Sequence, residues 1–189
     1  TQISGRSLLF LILSGLATGA SWLCYFKALQ IGDVNKVVPV DKSSSVLTIL
    51  LALILLHEEV SFCKGIGIIG IGIGTYLMIQ PRDGEPLERK SGKSWFVFAA
   101  LSALFASLTS ILGKVGIENV ESNLGTAIRT GVVLVMAWVV VFATRKPGTA
   151  LAVPRGELGF ICLSGVATGA SWLCYYHALQ LGPASLVAP

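Results

Sequence analysis

Six apolar runs, each near the length that crosses a bilayer, constrain this chain more than anything else in it. A membrane-spanning helix needs about 20 consecutive, mostly apolar residues. Runs of that kind lie at approximately Leu8–Leu29, Val37–Leu56, Phe62–Ile79, Trp95–Val115, Leu124–Thr144 and Leu158–Leu179. Spanning strands would instead alternate apolar and polar residues over about ten positions, and these runs do not, so helices are expected. The composition agrees: 53% of the residues are hydrophobic and 13% charged, and the mean hydropathy is +0.77. A soluble domain could not cover itself with so few polar side chains. The expected fold class is therefore all-α, a polytopic helical membrane protein with the lipid bilayer as its solvent. A formal charge of +4 and a pI near 9.0 would suit a nucleic-acid binder. The Lys and Arg residues, however, lie between the apolar runs rather than on one basic face, so no nucleic-acid partner is expected.

Between the third and fourth runs, Gln80–Lys93 is dense in Pro, Gly and charge and reads as a solvated linker. The expected division is residues 1–80, a linker at 81–93, and residues 94–189. An internal repeat supports it. SGLATGASWLCYFKALQIG at Ser14–Gly32 recurs about 150 residues on as SGVATGASWLCYYHALQLG at Ser164–Gly182. The copies differ at Leu16/Val166, Phe26/Tyr176, Lys27/His177 and Ile31/Leu181. At that offset the run Trp95–Val115 has no counterpart in the first half, and Pro189 falls opposite Pro39, early in a helix. The expected parent has two five-helix halves, of which this chain holds helices three to eight and the first turn of nine. An odd number of spans per half inserts the second copy upside down relative to the first. Inverted repeats of this kind build secondary transporters, with a solute site near the bilayer midplane.

At about 100° per residue, Ser14, Thr18, Ser21 and Tyr25 fall on one stripe of a helix. Ser164, Thr168, Ser171 and Tyr175 repeat it. Such groups should face protein or a water-filled cavity rather than lipid, so the stripes are candidate cavity walls, with Trp22 and Trp172 at their edges. The alternative is that the hydroxyls bond neighbouring helices or their own i−4 carbonyls. Gly15/Gly19 and Gly165/Gly169 form G-x-x-x-G pairs beside the stripes and read as helix packing.

Asp41 and Lys42 follow Pro39 inside the second run. Each would cost about 2.5–3.5 kcal/mol at a helix centre, so one of them lining a pathway stands against both sitting at the interface, with Lys42 snorkelling. Lys114 and Arg129 lie about one turn inside their helices, flanking the acidic loop Glu118–Asn123. They are possible charge partners, for Glu118 or Glu121 or for an anionic solute. His57, Glu58 and Glu59 close the second run at an expected solvated helix end, and His177 replaces Lys27 in the repeat. Cys24, Cys63, Cys162 and Cys174 include no C-x-x-C pair, so no disulfide, metal site or cofactor is expected. Gly65–Gly70 satisfies G-x-G-x-x-G by letter only, because it lies inside an apolar run with no strand before it. With no H-E-x-x-H or G-x-S-x-G either, the chain is not expected to be an enzyme.

The repeated block resembles the third helix of an EamA domain, of the drug/metabolite transporter superfamily. VVPVDKSSSVLTILLALILLHEEVS at 37–61 is similar to the fourth, with the helix-ending Glu near Glu58 or Glu59. LSALFASLTSILGKVGIENVESNLGTAIRT at 101–130 resembles the first two helices of a second such domain. The resemblance implies a ten-helix inverted-repeat carrier for small metabolites, often an exporter of amino acids or related compounds, in the cell's inner membrane. It also implies a central cavity lined by helices three, four, eight and nine among others. A membrane-embedded enzyme and a non-transporting interaction protein are the alternatives, and the residues say nothing of oligomeric state. Loop charge puts the linker side, with Lys27, Lys36, Arg82, Arg89, Lys90, Lys93, Arg145, Lys146 and Arg155, in the cytoplasm, against Arg6 and Lys64 opposite. Ten-helix relatives with both termini inside would place that linker outside.

Overall fold

A computed structural model describes residues 3–57, 62–79, 94–143 and 154–187. Their regular structure is helical throughout: α1 (Gly5–Ile31), α2 (Val34–Lys42), α3 (Ser44–Leu55), α4 (Phe62–Ile79), α5 (Ser94–Gly116), α6 (Ser122–Ala143), α7 (Arg155–Leu181) and the single turn α8 (Ala184–Val187). Gly5–Ile31, Val34–Leu55, Ser94–Gly116, Ser122–Ala143 and Gly156–Leu181 are long and apolar enough to cross a membrane, and α4 holds the shorter apolar stretch Gly65–Met78. The chain is a polytopic all-α membrane protein. The expected linker at 81–93 and the acidic residues Glu58 and Glu59 lie outside the described residues.

The second apolar run is two helices, not one. It starts earlier than hydrophobicity suggests, because Asp33 caps α2: its Oδ1 accepts from the Asn35 amide at 2.9 Å. It breaks at Ser43, four residues after Pro39, which lacks an amide hydrogen. There the Ser43 amide is shared between the carbonyls of Pro39 (3.0 Å) and Val40 (3.2 Å). The Ser43 hydroxyl also donates to Val40 O at 2.6 Å. After Leu56, His57 adopts φ 51°, the left-handed conformation in which helices commonly end.

The chain forms two compact units, Thr1–Gly19 with Leu112–Gly182, and Ala20–Ile111 with Pro183–Pro189. In the first, the early part of α1 packs with α6 and α7. A Cβ on Gly15 would stand 2.8 Å from Val132 Cβ and 3.0 Å from the Arg129 carbonyl, so the missing side chain is what lets α1 and α6 approach. Leu11, Ile117, Tyr176 and Leu179 are its large buried side chains. The C-terminal end of α7 is tied down by Lys114, whose ammonium donates to the carbonyls of Leu179 and Gly182, the latter at 2.6 Å. A cation there satisfies carbonyls that the helix leaves without partners. In the second unit, Ala28, Val37, Val40 and Ala99 form a buried cluster, with Tyr25, Leu29, Trp95 and Phe98 packed on it.

Candidate functional site

In the first unit, polar groups from three helices converge on Arg129. It lies one turn into the spanning part of α6 and is only 2% exposed. Its Nε donates to Thr18 Oγ1 at 3.1 Å. The Thr18 hydroxyl in turn donates to the Ser14 carbonyl at 2.8 Å, so one oxygen serves as donor and acceptor at once. Arg129 Cζ lies 3.4 Å from the centroid of the Trp172 ring and 5.5 Å from that of Tyr176. A desolvated cation over an indole gains about 2 kcal/mol. The Tyr176 hydroxyl pairs with Ser14 Oγ at 3.1 Å. It also lies where a side chain on Gly113 would be, 2.9 Å from such a Cβ. The cluster thus offers a fixed guanidinium, two aromatic rings and three hydroxyls inside apolar helices.

The second unit holds a separate polar cluster. Ser21 and Ser102 bond each other reciprocally, each hydroxyl reaching the other residue's carbonyl, at 3.1 and 3.0 Å, with the two Oγ atoms 3.2 Å apart. Ser102 Oγ also lies 2.6 Å from Asp41 Oδ1 and donates to it. A bond from a hydroxyl to a carboxylate is charge-assisted, and 2.6 Å is a typical length for one. Asp41 is half-buried, as is Lys42's neighbour Ser43, and Lys42 itself is exposed.

The two copies of the polar stripe have different surroundings. Ser14, Thr18 and Ser21 are buried, whereas Ser164 and Ser171 are exposed and Thr168 is half-buried. Trp22 is exposed, Trp172 is half-buried beneath Arg129, and Tyr25 and Tyr175 are both half-buried. The ring of Tyr175 stands edge-on to Trp172, with centroids 5.3 Å apart. Lys114 is occupied at the end of α7, and Glu118 and Glu121 of the acidic loop are exposed.

Sequence reasoning passed over Tyr176 and Ser102. Tyr176 had a visible signal, since it is the repeat position where Phe26 gains a hydroxyl. Tyr176 is fully buried and Phe26 is 58% exposed. Ser102 had none, because α5 carries Ser102, Ser107, Thr109 and Ser110 alike. Ser107, Thr109 and Ser110 donate to carbonyls of their own helix, at 2.7, 2.9 and 3.4 Å, whereas Ser102 reaches Ser21 on α1 and Asp41 on α2.

The chain was compared with known proteins. The model of the EamA-like transporter family matches residues 1–80 and 93–189. An uncharacterized transporter in the cobO 3' region of Sinorhizobium sp is 45% identical over 97 residues, 51% of this chain and 69% of that protein. An uncharacterized transporter of Bacillus subtilis (strain 168), YxxF, is 26% identical over 179 residues, 94% of this chain and 55% of that protein. No solved structure matches. Helices of spanning length, buried polar clusters within them and a family match over nearly every residue agree: the chain belongs to the EamA-like transporter family.

Proposed function

We propose that the protein is a secondary carrier or facilitator that moves small polar metabolites, such as amino acids, across the cell's inner membrane, working as an exporter. The observation that carries this reading is the burial of the α1 stripe on polar side chains. Ser14 meets Tyr176, Thr18 meets Arg129, and Ser21 meets Ser102. A spanning helix that needed only to pack would gain more from apolar residues there, since each buried hydroxyl carries a desolvation cost of about 1–3 kcal/mol when unmatched. Polar groups gathered inside a helical membrane protein mark a route for polar solutes.

The reading includes a parent built from two inverted five-helix halves. The sequence of contacts within the first unit supports it. Moving along α1 from Ser14 to Thr18, the partners on α7 retreat from Tyr176 towards Trp172, the latter through Arg129. The repeated segments therefore run in opposite directions where they meet. The test is reconstitution of the intact protein in liposomes loaded with a mixture of amino acids, sugars and amines. Selective loss of some of these, absent from protein-free liposomes, is expected. Retention of every solute by liposomes that hold folded protein would refute the carrier reading.

A further inference from the structure

From the Arg129 cluster we infer that the solute carries a single carboxylate and that Arg129 is the group that binds it. The inference rests on the carrier reading and deepens it. Among the described residues, the partners of this nearly fully buried cation are a hydroxyl and two aromatic rings, those of Thr18, Trp172 and Tyr176. None of them carries the negative charge that a buried guanidinium ordinarily has beside it. The acidic side chains nearest in sequence, Glu118 and Glu121, are exposed on the α5–α6 loop. The missing charge is what a solute would bring.

Geometry narrows the class further. Trp172 covers one face of the guanidinium at 3.4 Å, and Nε is already engaged with Thr18. An incoming group must therefore approach in the guanidinium plane, along the edge that carries the terminal N–H groups. A carboxylate matches such an edge with two parallel hydrogen bonds. The Ser14–Tyr176 hydroxyl pair, whose proton is free to lie on either oxygen, adds a further donor at the same cluster. Charge then separates a carboxylate from a phosphate dianion. The other cation drawn into this unit, Lys114, is held by the carbonyls of Leu179 and Gly182, leaving one positive charge to be matched. A dianion would leave one charge uncompensated in a low-dielectric interior.

The test compares acids with their uncharged derivatives in liposomes holding the intact, unaltered protein. The panel is L-alanine, L-leucine and L-phenylalanine with their amides, propionate and benzoate, succinate, glycerol phosphate and glucose. The expected result is movement of one or more monocarboxylates, faster than the matching amide by about tenfold or more. Arg129→Gln should remove that preference and Arg129→Lys should keep part of it, with folding of each checked by size-exclusion elution. Because the acid–amide comparison uses the unaltered protein, misfolding of a variant does not affect it. Movement of glucose or of amides at the rate of the acids overturns the carboxylate inference alone, as does faster movement of glycerol phosphate or succinate. An unchanged acid preference in folded Arg129→Gln overturns the role of Arg129. No movement of any panel member overturns the carrier reading itself, and this inference with it.

Discussion

Ser102 joins two helices to a carboxylate through one oxygen, giving its proton to Asp41 Oδ1 while its lone pairs face the Ser21 hydroxyl. Removing that oxygen strips a charge-assisted bond from a half-buried carboxylate, so Ser102→Ala should cost about 1.5–3 kcal/mol. Ser107→Ala is the control. Ser107 is equally buried, but its hydroxyl donates to the Leu104 carbonyl of its own helix, and its loss should be nearly neutral. Thermal unfolding of the purified protein in detergent separates the two. Equal effects would mean that the Ser102–Asp41 bond adds nothing. Tyr176 is tested by Tyr176→Phe, which keeps the ring under the Arg129 cluster and deletes the 3.1 Å pair with Ser14. Stability should fall by about 1 kcal/mol, and solute flux per folded molecule should fall by a larger factor. Flux that stays constant would place Tyr176 outside the solute route.

At the scale of the element, α1 and α7 make a comparison that few chains allow, because nearly the same segment occurs in both. A Cβ at Gly15 meets Val132 Cβ and the Arg129 carbonyl, neither of which can swing away, whereas one at Gly19 meets the end of the flexible Met136 side chain. At Gly165 and Gly169 a Cβ meets open space. Gly15→Ala should therefore destabilise by about 1–3 kcal/mol, and Gly19→Ala by less, as Met136 turns aside. Gly165→Ala in this chain should be neutral or stabilising by up to about 1 kcal/mol, since alanine is the better helix former. Melting temperatures of the three variants read the order directly, and an equal drop for Gly15→Ala and Gly165→Ala would contradict the packing of α1 on α6. Element boundaries followed a similar logic. Hydrophobic run length located each helix, but Asp33 and Ser43 moved the limits of α2 through single hydrogen bonds that an average over a run does not register.

At the scale of the whole molecule, large apolar side chains remain on the outside, among them Phe160 at 78% and Val166 at 71% exposure on α7. Such surface belongs in lipid or against other helices. The protein should stay with membranes through an alkaline carbonate wash and leave them only in detergent, and its release by carbonate alone would contradict a multi-pass arrangement. Hydropathy by itself determined this much: an all-α membrane protein, its spans and its repeat. The reason is that a chain in hydrocarbon must satisfy every backbone N–H and C=O within the segment that crosses, a requirement local in sequence. Surroundings are not local. Ser14 and Ser164 stand in matching sequence, yet the first is buried on Tyr176 and the second is exposed. Nothing in the repeat distinguishes Trp22 from Trp172, but it is Trp172 that lies against Arg129. Tertiary structure alone decided which copy of each residue meets the cation, because that depends on which neighbouring helix packs against it, and residues far along the chain supply that helix.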